Sequence, residues 1–314
     1  MWNLEFTAPQ VIHARLLTRL PDSFRNKRRS DWCDANKPGH EIDCFLEGPA
    51  FDRSGNLFLT DIPFGRIFRV SPAGQWDLVA EYDGWPNGIA INRDGKLWIT
   101  DYRRGLLRMD AKGGKPVPIL GHRNSESFKG LNDLTFDADG RCYFTDQGQT
   151  GMHDPTGRVY RFSPHAVGEG QLDLVVQGIP SPNGVALDAQ GKALFIAVTR
   201  ANAVWRGPLL ADRSVSKLGV FRTFFGTSGP DGLAVDVENR LVVAHASLGG
   251  AFVCNSRGEV THFIKSPAGS TVTNVAFRPG TSQLVMTESE TGAVLEADLP
   301  SPGAPLYSHA LIAA

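Results

Sequence analysis

Five segments share one grammar: Glu47-Gly-Pro-Ala-Phe-Asp-Arg-Ser-Gly55, Asn87-Gly-Ile-Ala-Ile-Asn-Arg-Asp-Gly95, Asn132-Asp-Leu-Thr-Phe-Asp-Ala-Asp-Gly140, Asn183-Gly-Val-Ala-Leu-Asp-Ala-Gln-Gly191 and Asp231-Gly-Leu-Ala-Val-Asp-Val-Glu-Asn239. A weaker sixth copy is Thr273-Asn-Val-Ala-Phe-Arg-Pro-Gly280. Their openings lie 40, 45, 51, 48 and 42 residues apart, the blade period of a β-propeller. A polar residue opens each copy, an apolar residue follows four positions later, and most copies close on an Asp/Asn-x-x-Gly turn. Short runs rich in β-branched and aromatic residues come next, such as Leu57-Phe-Leu-Thr-Asp61, Leu97-Trp-Ile-Thr-Asp101 and Cys142-Tyr-Phe-Thr-Asp146. Bounded by turn formers, they read as strands. A third strand (Gly157–Phe162) and a fourth (Leu172–Val176) precede the next copy. Four strands in each of six repeats predict an all-β, six-bladed β-propeller with four-stranded antiparallel blades.

Outward from the repeats, residues 45–300 show no domain boundary, and the whole chain reads as one propeller domain with an N-terminal extension of about residues 1–44. Residues 18–44 look polar and irregular. Residues 9–17 look like a strand that closes the ring on the last blade, a role that Leu306–Ile312 could take instead. The 314 residues are 41% hydrophobic, and 32 basic side chains face 33 acidic ones. That balance gives no sign of a nucleic-acid or anionic-membrane partner. No apolar run reaches membrane-helix length, and no leader pattern opens the chain, which implies a cytoplasmic location. Four cysteines do not make a disulfide scaffold. Cys33 and Cys44 could pair, although free thiols are expected in a reducing compartment.

The first strand of a propeller blade lines the central channel. Equivalent positions in six blades therefore form a ring, here Glu47, Asn87, Asn132, Asn183, Asp231 and Thr273. Two carboxylates and three amides converge at one mouth. Asx turns would explain one or two Asn-Gly pairs. They do not explain two acids close together in a water-poor channel, where unpaired charge is costly. A bound cation removes that cost. Glu47, Asn132, Asn183 and Asp231 are thus read as ligands of one divalent ion, all through oxygen: Ca²⁺ first, Mg²⁺ or Mn²⁺ next, Zn²⁺ less natural. Asn87 is read as a substrate contact. A second ring, Asp61, Asp101, Asp146, His245 and Glu288, either supports the first or caps strand ends. Two long loops at the same mouth offer His122, Lys129, His153 and Asp154; Lys129, His153 and His245 join Asn87 and Asn132 as candidate substrate contacts.

With these motifs in order and at blade spacing, residues of about 40–300 resemble the gluconolactonase family that includes regucalcin and luciferin-regenerating enzyme. The resemblance rests on Leu46-Glu47-Gly-Pro, Asn132-Asp, Pro-Asn183-Gly and Pro-Asp231-Gly. More distantly the constellation is similar to diisopropylfluorophosphatase and the paraoxonases. It implies that Glu47, Asn183 and Asp231 bind a catalytic divalent ion, that Asn132 binds the ion or the substrate, and that Asp231 is the general base. The reaction it implies is metal-dependent hydrolysis of a sugar lactone. Where the family has an Arg two positions before the Asn132 equivalent, this chain has Gly130. The loop Gln147–Thr150 carries amides and a hydroxyl where the family has a Glu. A phosphotriesterase, or a non-catalytic binding propeller with a structural ion, are the alternative functions.

Overall fold

The computed structural model describes residues 8–164 and 170–310. Six blade sheets follow one another along the chain, with a two-stranded hairpin of His122–Arg123 and Glu126–Ser127 between the second and third. Blade 1 is built from Leu46–Phe51, Leu57–Asp61, Arg66–Val70 and Trp76–Glu81. The inner strands of blades 2 to 6 are Pro86–Ile91, Leu131–Phe136, Pro182–Leu187, Pro230–Val235 and Val272–Phe277. Each chain-adjacent pair within a blade is antiparallel, as the six-bladed, all-β reading requires.

An apolar cluster lies between every two neighbouring blades, six in all around the ring. Between blades 1 and 2, for example, Phe58 and Ile67 pack against Ile89 and Ile99. Strands covered on both faces read as continuous apolar runs rather than alternating ones. Leu57–Asp61, Leu97–Asp101, Cys142–Asp146 and Leu241–His245 are accordingly buried at every residue.

The N-terminal segment divides between two blades. Arg15–Arg19 pairs antiparallel with Ala293–Asp298 and supplies the fourth strand of blade 6. Gln10–His13 instead lies parallel to Val260–Lys265 as a fifth strand on blade 5. Buried Ala14 makes the crossing, its amide donating to the Lys265 carbonyl (3.0 Å). A single strand over 9–17 is therefore corrected to two short ones: the two blades diverge at this rim, and one straight segment cannot pair with both. In the C-terminal stretch Leu306–Ile312, Tyr307–His309 is a turn of 3₁₀ helix and residues from 311 onward lie outside the described residues.

The insertion before blade 1 has more order than its composition suggests. Asp31–Asn36 is the one α-helix among the described residues, with the Ser30 hydroxyl capping the Cys33 amide (3.2 Å). Only Trp32 and Cys33 of that helix are buried. All four cysteines are free thiols. No helix is long and apolar enough to cross a membrane among the described residues.

Candidate active site

The ring is built by a defect repeated in every blade. Each inner strand shifts register against its neighbour just after the opening residue, between Glu47 and Ala50, Leu131 and Leu134, Pro182 and Val185, and so on. A bulge bends its strand and re-aims side chains. The following strand then fixes the result. Thr60, Thr100 and Thr145 each donate a hydroxyl to the ring residue of the next blade, at the carbonyls of Asn87 (2.6 Å), Asn132 and Asn183 (2.7 Å). Two of these hydroxyls also accept an amide within their own blade, Gly88 N–H on Thr100 (3.0 Å) and Asp133 N–H on Thr145 (3.1 Å).

Glu47, Asn87, Asn132, Asn183 and Asp231 line one cavity of about 220 Å³. Thr273 is fully buried, bonded to the Leu46 carbonyl (2.9 Å) and to Thr287 (2.8 Å). The insertion covers the mouth: Trp32, Asn36, Lys37 and Phe45 line the same cavity. Trp32 packs on Phe45 with ring centroids 4.7 Å apart, and the Lys37 ammonium lies 5.2 Å from the centre of the Phe45 ring. Tyr102 and Gln147 also line the cavity and are hydrogen-bonded to each other.

The bulge has a second effect. The residue after each ring member also faces the channel, at a waist below the site. Gly occupies it in four blades, Asp133 in blade 3 and Asn274 in blade 6. The glycines are required by close approach: a Cβ on Gly88 would stand 2.6 Å from Asp133 Oδ1, and one on Gly232 would collide with the Asn274 amide. Asn274 Nδ2 donates to Glu47 Oε2 (2.8 Å), which also accepts the Gly48 amide (2.8 Å).

Three carboxylates therefore stand together out of water. Burial, then the charges of Glu47 and Asp133, pushes Asp231 well above the ordinary carboxylate range, with an Asn183 hydrogen bond pulling the other way. Burial likewise raises Glu47, against hydrogen bonds from Asn274 and Gly48. Burial raises Asp133 to about 7. The groups acting on them are chiefly one another, amides and a hydroxyl, and among the described residues no Lys or Arg forms a salt bridge with any of the three. Among the described residues no three His, Cys, Asp or Glu side chains cluster as a metal site. Any ion here would take two carboxylates together with amide oxygens, a donor set that suits hard cations.

The remaining candidates fall elsewhere. His245 is fully buried away from the cavity, its ring against Phe224 and Phe252 and its Nε2 3.1 Å from Asn202 Oδ1. Lys129 and His153 are exposed and do not line the cavity. The acids of the second ring are tied into the framework: Asp61 pairs with Arg66 and accepts the Phe45 amide (2.7 Å), Asp101 accepts the amides of Arg103 and Arg104 in its own turn (both 2.8 Å), and Asp146 accepts that of Lys129 (3.0 Å). Gly130 leaves room that Tyr102 and Gln149 fill; a Cβ there would meet both.

The model of the SMP-30/gluconolactonase/LRE-like region matches residues 45–290. The chain belongs to this family. It is 30% identical over 275 residues to lactonase drp35 of Staphylococcus saprophyticus, a match covering 82% of each chain. Its fold is that of a gluconolactonase from Xanthomonas campestris, with a TM-score of 0.72 at 23% identity over 82% of this chain and 86% of that one. The calcium-binding protein regucalcin of Agrobacterium tumefaciens has the same fold, with a TM-score of 0.72 at 20% identity over 96% and 99% of the two chains.

Proposed function

We propose that this chain is a divalent-metal-dependent lactonase acting on a sugar lactone or a close relative. The observation that carries the reading is the buried, unneutralised pair Glu47 and Asp231 facing three amides in one cavity. Such a pair is destabilising unless a cation or protons compensate it. The donor set fits a hard ion held by Glu47, Asn132, Asn183 and Asp231, with open positions left for water or substrate. When bound, the ion would polarise a lactone carbonyl and stabilise the charge that develops on its oxygen. The names of the relatives, lactonase and gluconolactonase, point to the same chemistry.

The chain's own residues take the following parts. Asp231, as a carboxylate, accepts a proton from the attacking water. The water oxygen bonds to the carbonyl carbon, the ring C–O bond breaks, and the leaving alkoxide takes the proton back from Asp231 to give a hydroxy acid. The Asn87 amide and the Tyr102 hydroxyl oxygen would bond substrate hydroxyls. Trp32 and Phe45 cover the mouth and limit the entry of bulk water.

The test is a panel of aldonolactones and simpler lactones, with a phosphotriester alongside, measured with added Ca²⁺ and after exhaustive chelation. Lactone turnover that disappears on chelation and returns with metal supports the reading. Full turnover without metal, or preference for the phosphotriester, overturns it.

A further inference from the structure

Below the waist of Asp133 and Asn274 the channel widens into a second chamber of about 450 Å³, within the range of small-molecule sites. It stays open because small side chains stand at one register in all six blades: Ala50, Ala90, Thr135, Ala186, Ala234 and Ala276. Larger apolar residues of the inner strands line the middle of the chamber, and Arg93, Asp137, Asp188, Gln190 and Arg213 line its far end. The apolar middle gives water few hydrogen-bonding partners.

The C-terminal strap, residues 304–310, crosses the far mouth. It is tied to blade 5 through the Ala304 amide on the Val235 carbonyl (2.9 Å) and to blade 1 through Arg53 Nε on the Ser308 carbonyl (2.7 Å). Tyr307 packs on Phe136, centroids 5.4 Å apart, and the Arg93 guanidinium carbon lies 4.4 Å from the centre of the Tyr307 ring.

Arg93 is the unusual member of this lining. Its Nε is buried and has no hydrogen-bond partner. The other charged groups at that end have hydrogen-bond partners, Asp188 through neutral backbone amides alone. Arg213 bonds the Gly191 carbonyl (3.1 Å) and Asp139, Asp137 pairs with Arg141 (3.1 Å), and Asp188 accepts the amides of Lys192 (2.6 Å) and Ala193 (3.1 Å). Asp133 stands at the opposite end, at the ceiling. The chamber thus has an unmatched cation at its mouth, an apolar middle and an acid at its top.

We propose that the lower chamber is a second small-molecule site, which takes a monocarboxylate with an apolar body. The carboxylate pairs with the Arg93 guanidinium, which has no salt-bridge partner among the described residues, in a charge-assisted hydrogen bond. The body fills the alanine-lined space above Arg93, and the single cation at the mouth fixes the orientation. This site is separate from the ring of Glu47 and Asp231.

Titration calorimetry with octanoate and octan-1-ol tests it, on wild type and on Arg93→Met, Ala90→Leu and Asp231→Asn. Octanoate is expected to bind once per chain. Arg93→Met should weaken octanoate about tenfold or more, to the level of octanol. Ala90→Leu should weaken both probes, and Asp231→Asn should leave octanoate binding intact. Arg93→Met lies on a surface turn, and its lactone turnover should match wild type, which also reports that it is folded. No saturable octanoate binding, binding indifferent to Arg93→Met, or binding lost in Asp231→Asn each overturns the proposal.

Discussion

At the scale of single residues, Asp231 has two properties that pull in opposite directions. A general base must be ionised, yet burial and the Glu47 charge favour its protonated form. A cation between them would resolve this, because it would favour both carboxylates at once. Asp231→Asn keeps the shape and removes the base. Turnover of a lactone substrate should fall about 10²- to 10⁴-fold with no loss of thermal midpoint in chelated protein, since a buried charge has been removed. Unchanged kcat would end the assignment of Asp231 as base. His245 shows the converse, a titratable group that the fold uses neutral. Burial holds its pKa down to about 4, below the usual 6.5. The unfolded chain binds a proton there as pH falls below about 6.5, while the fold resists until about 4. His245 therefore contributes stability above pH 6.5 that is lost on acidification between those values. The denaturation midpoint should fall less steeply from pH 7 to 4.5 in His245→Gln than in wild type; equal slopes would show that His245 does not titrate on unfolding. The ring residues were legible in the sequence because one register repeats six times. Asp133 was not, since successive strand residues should point to opposite faces and only the bulge brings Asn132 and Asp133 both to the channel. His245 lies outside the cavity for a related reason: position at a strand end does not tell which face a side chain takes, and here Phe224 and Phe252 pack against it.

At the scale of elements, the working unit is a bulged inner strand held by a threonine on the next strand. The hydroxyl of Thr145 joins blade 3 to blade 4, receiving Asp133 N–H and donating to the Asn183 carbonyl. Thr145→Val leaves both backbone groups buried and unpaired, at a cost of about 1–3 kcal/mol. Because those groups carry Asp133 and Asn183, the same variant should also bind Ca²⁺ more weakly. Denaturant unfolding and a metal titration read the two effects, and a stability loss with wild-type metal affinity would confine the threonine to a structural part. Blades 4 and 5 have Ala197 and Ala244 at the equivalent position, so the staple is present only in part of the ring. Strand limits were readable from turn chemistry, as at Leu97–Asp101 and Cys142–Asp146. The helix Asp31–Asn36 was not, because six residues with two buried side chains leave no helical period to detect.

At the scale of the molecule, Glu47, Asn132, Asn183 and Asp231 come from blades 1, 3, 4 and 5. An ion held by all four would tie together parts of the ring that otherwise meet only through their neighbours. Closure by Arg15–Arg19 on Ala293–Asp298 joins the two ends of the chain, and an axial ion would add a second constraint across the middle. A ligand that binds only the folded state stabilises it by about 2.7 kcal/mol at a hundred times its dissociation constant. Chelation should therefore lower the thermal midpoint, and added Ca²⁺ should restore it. Glu47→Gln separates this from a general salt effect. Without metal it removes one of three repelling carboxylates, so its midpoint should lie above that of chelated wild type. With Ca²⁺ it lacks a ligand, so its midpoint should lie below that of loaded wild type. The order of the two proteins should thus reverse between the two conditions. A wild-type midpoint indifferent to Ca²⁺, or a Glu47→Gln midpoint that stays on the same side of wild type in both buffers, would mean that protons rather than a cation compensate the buried acids.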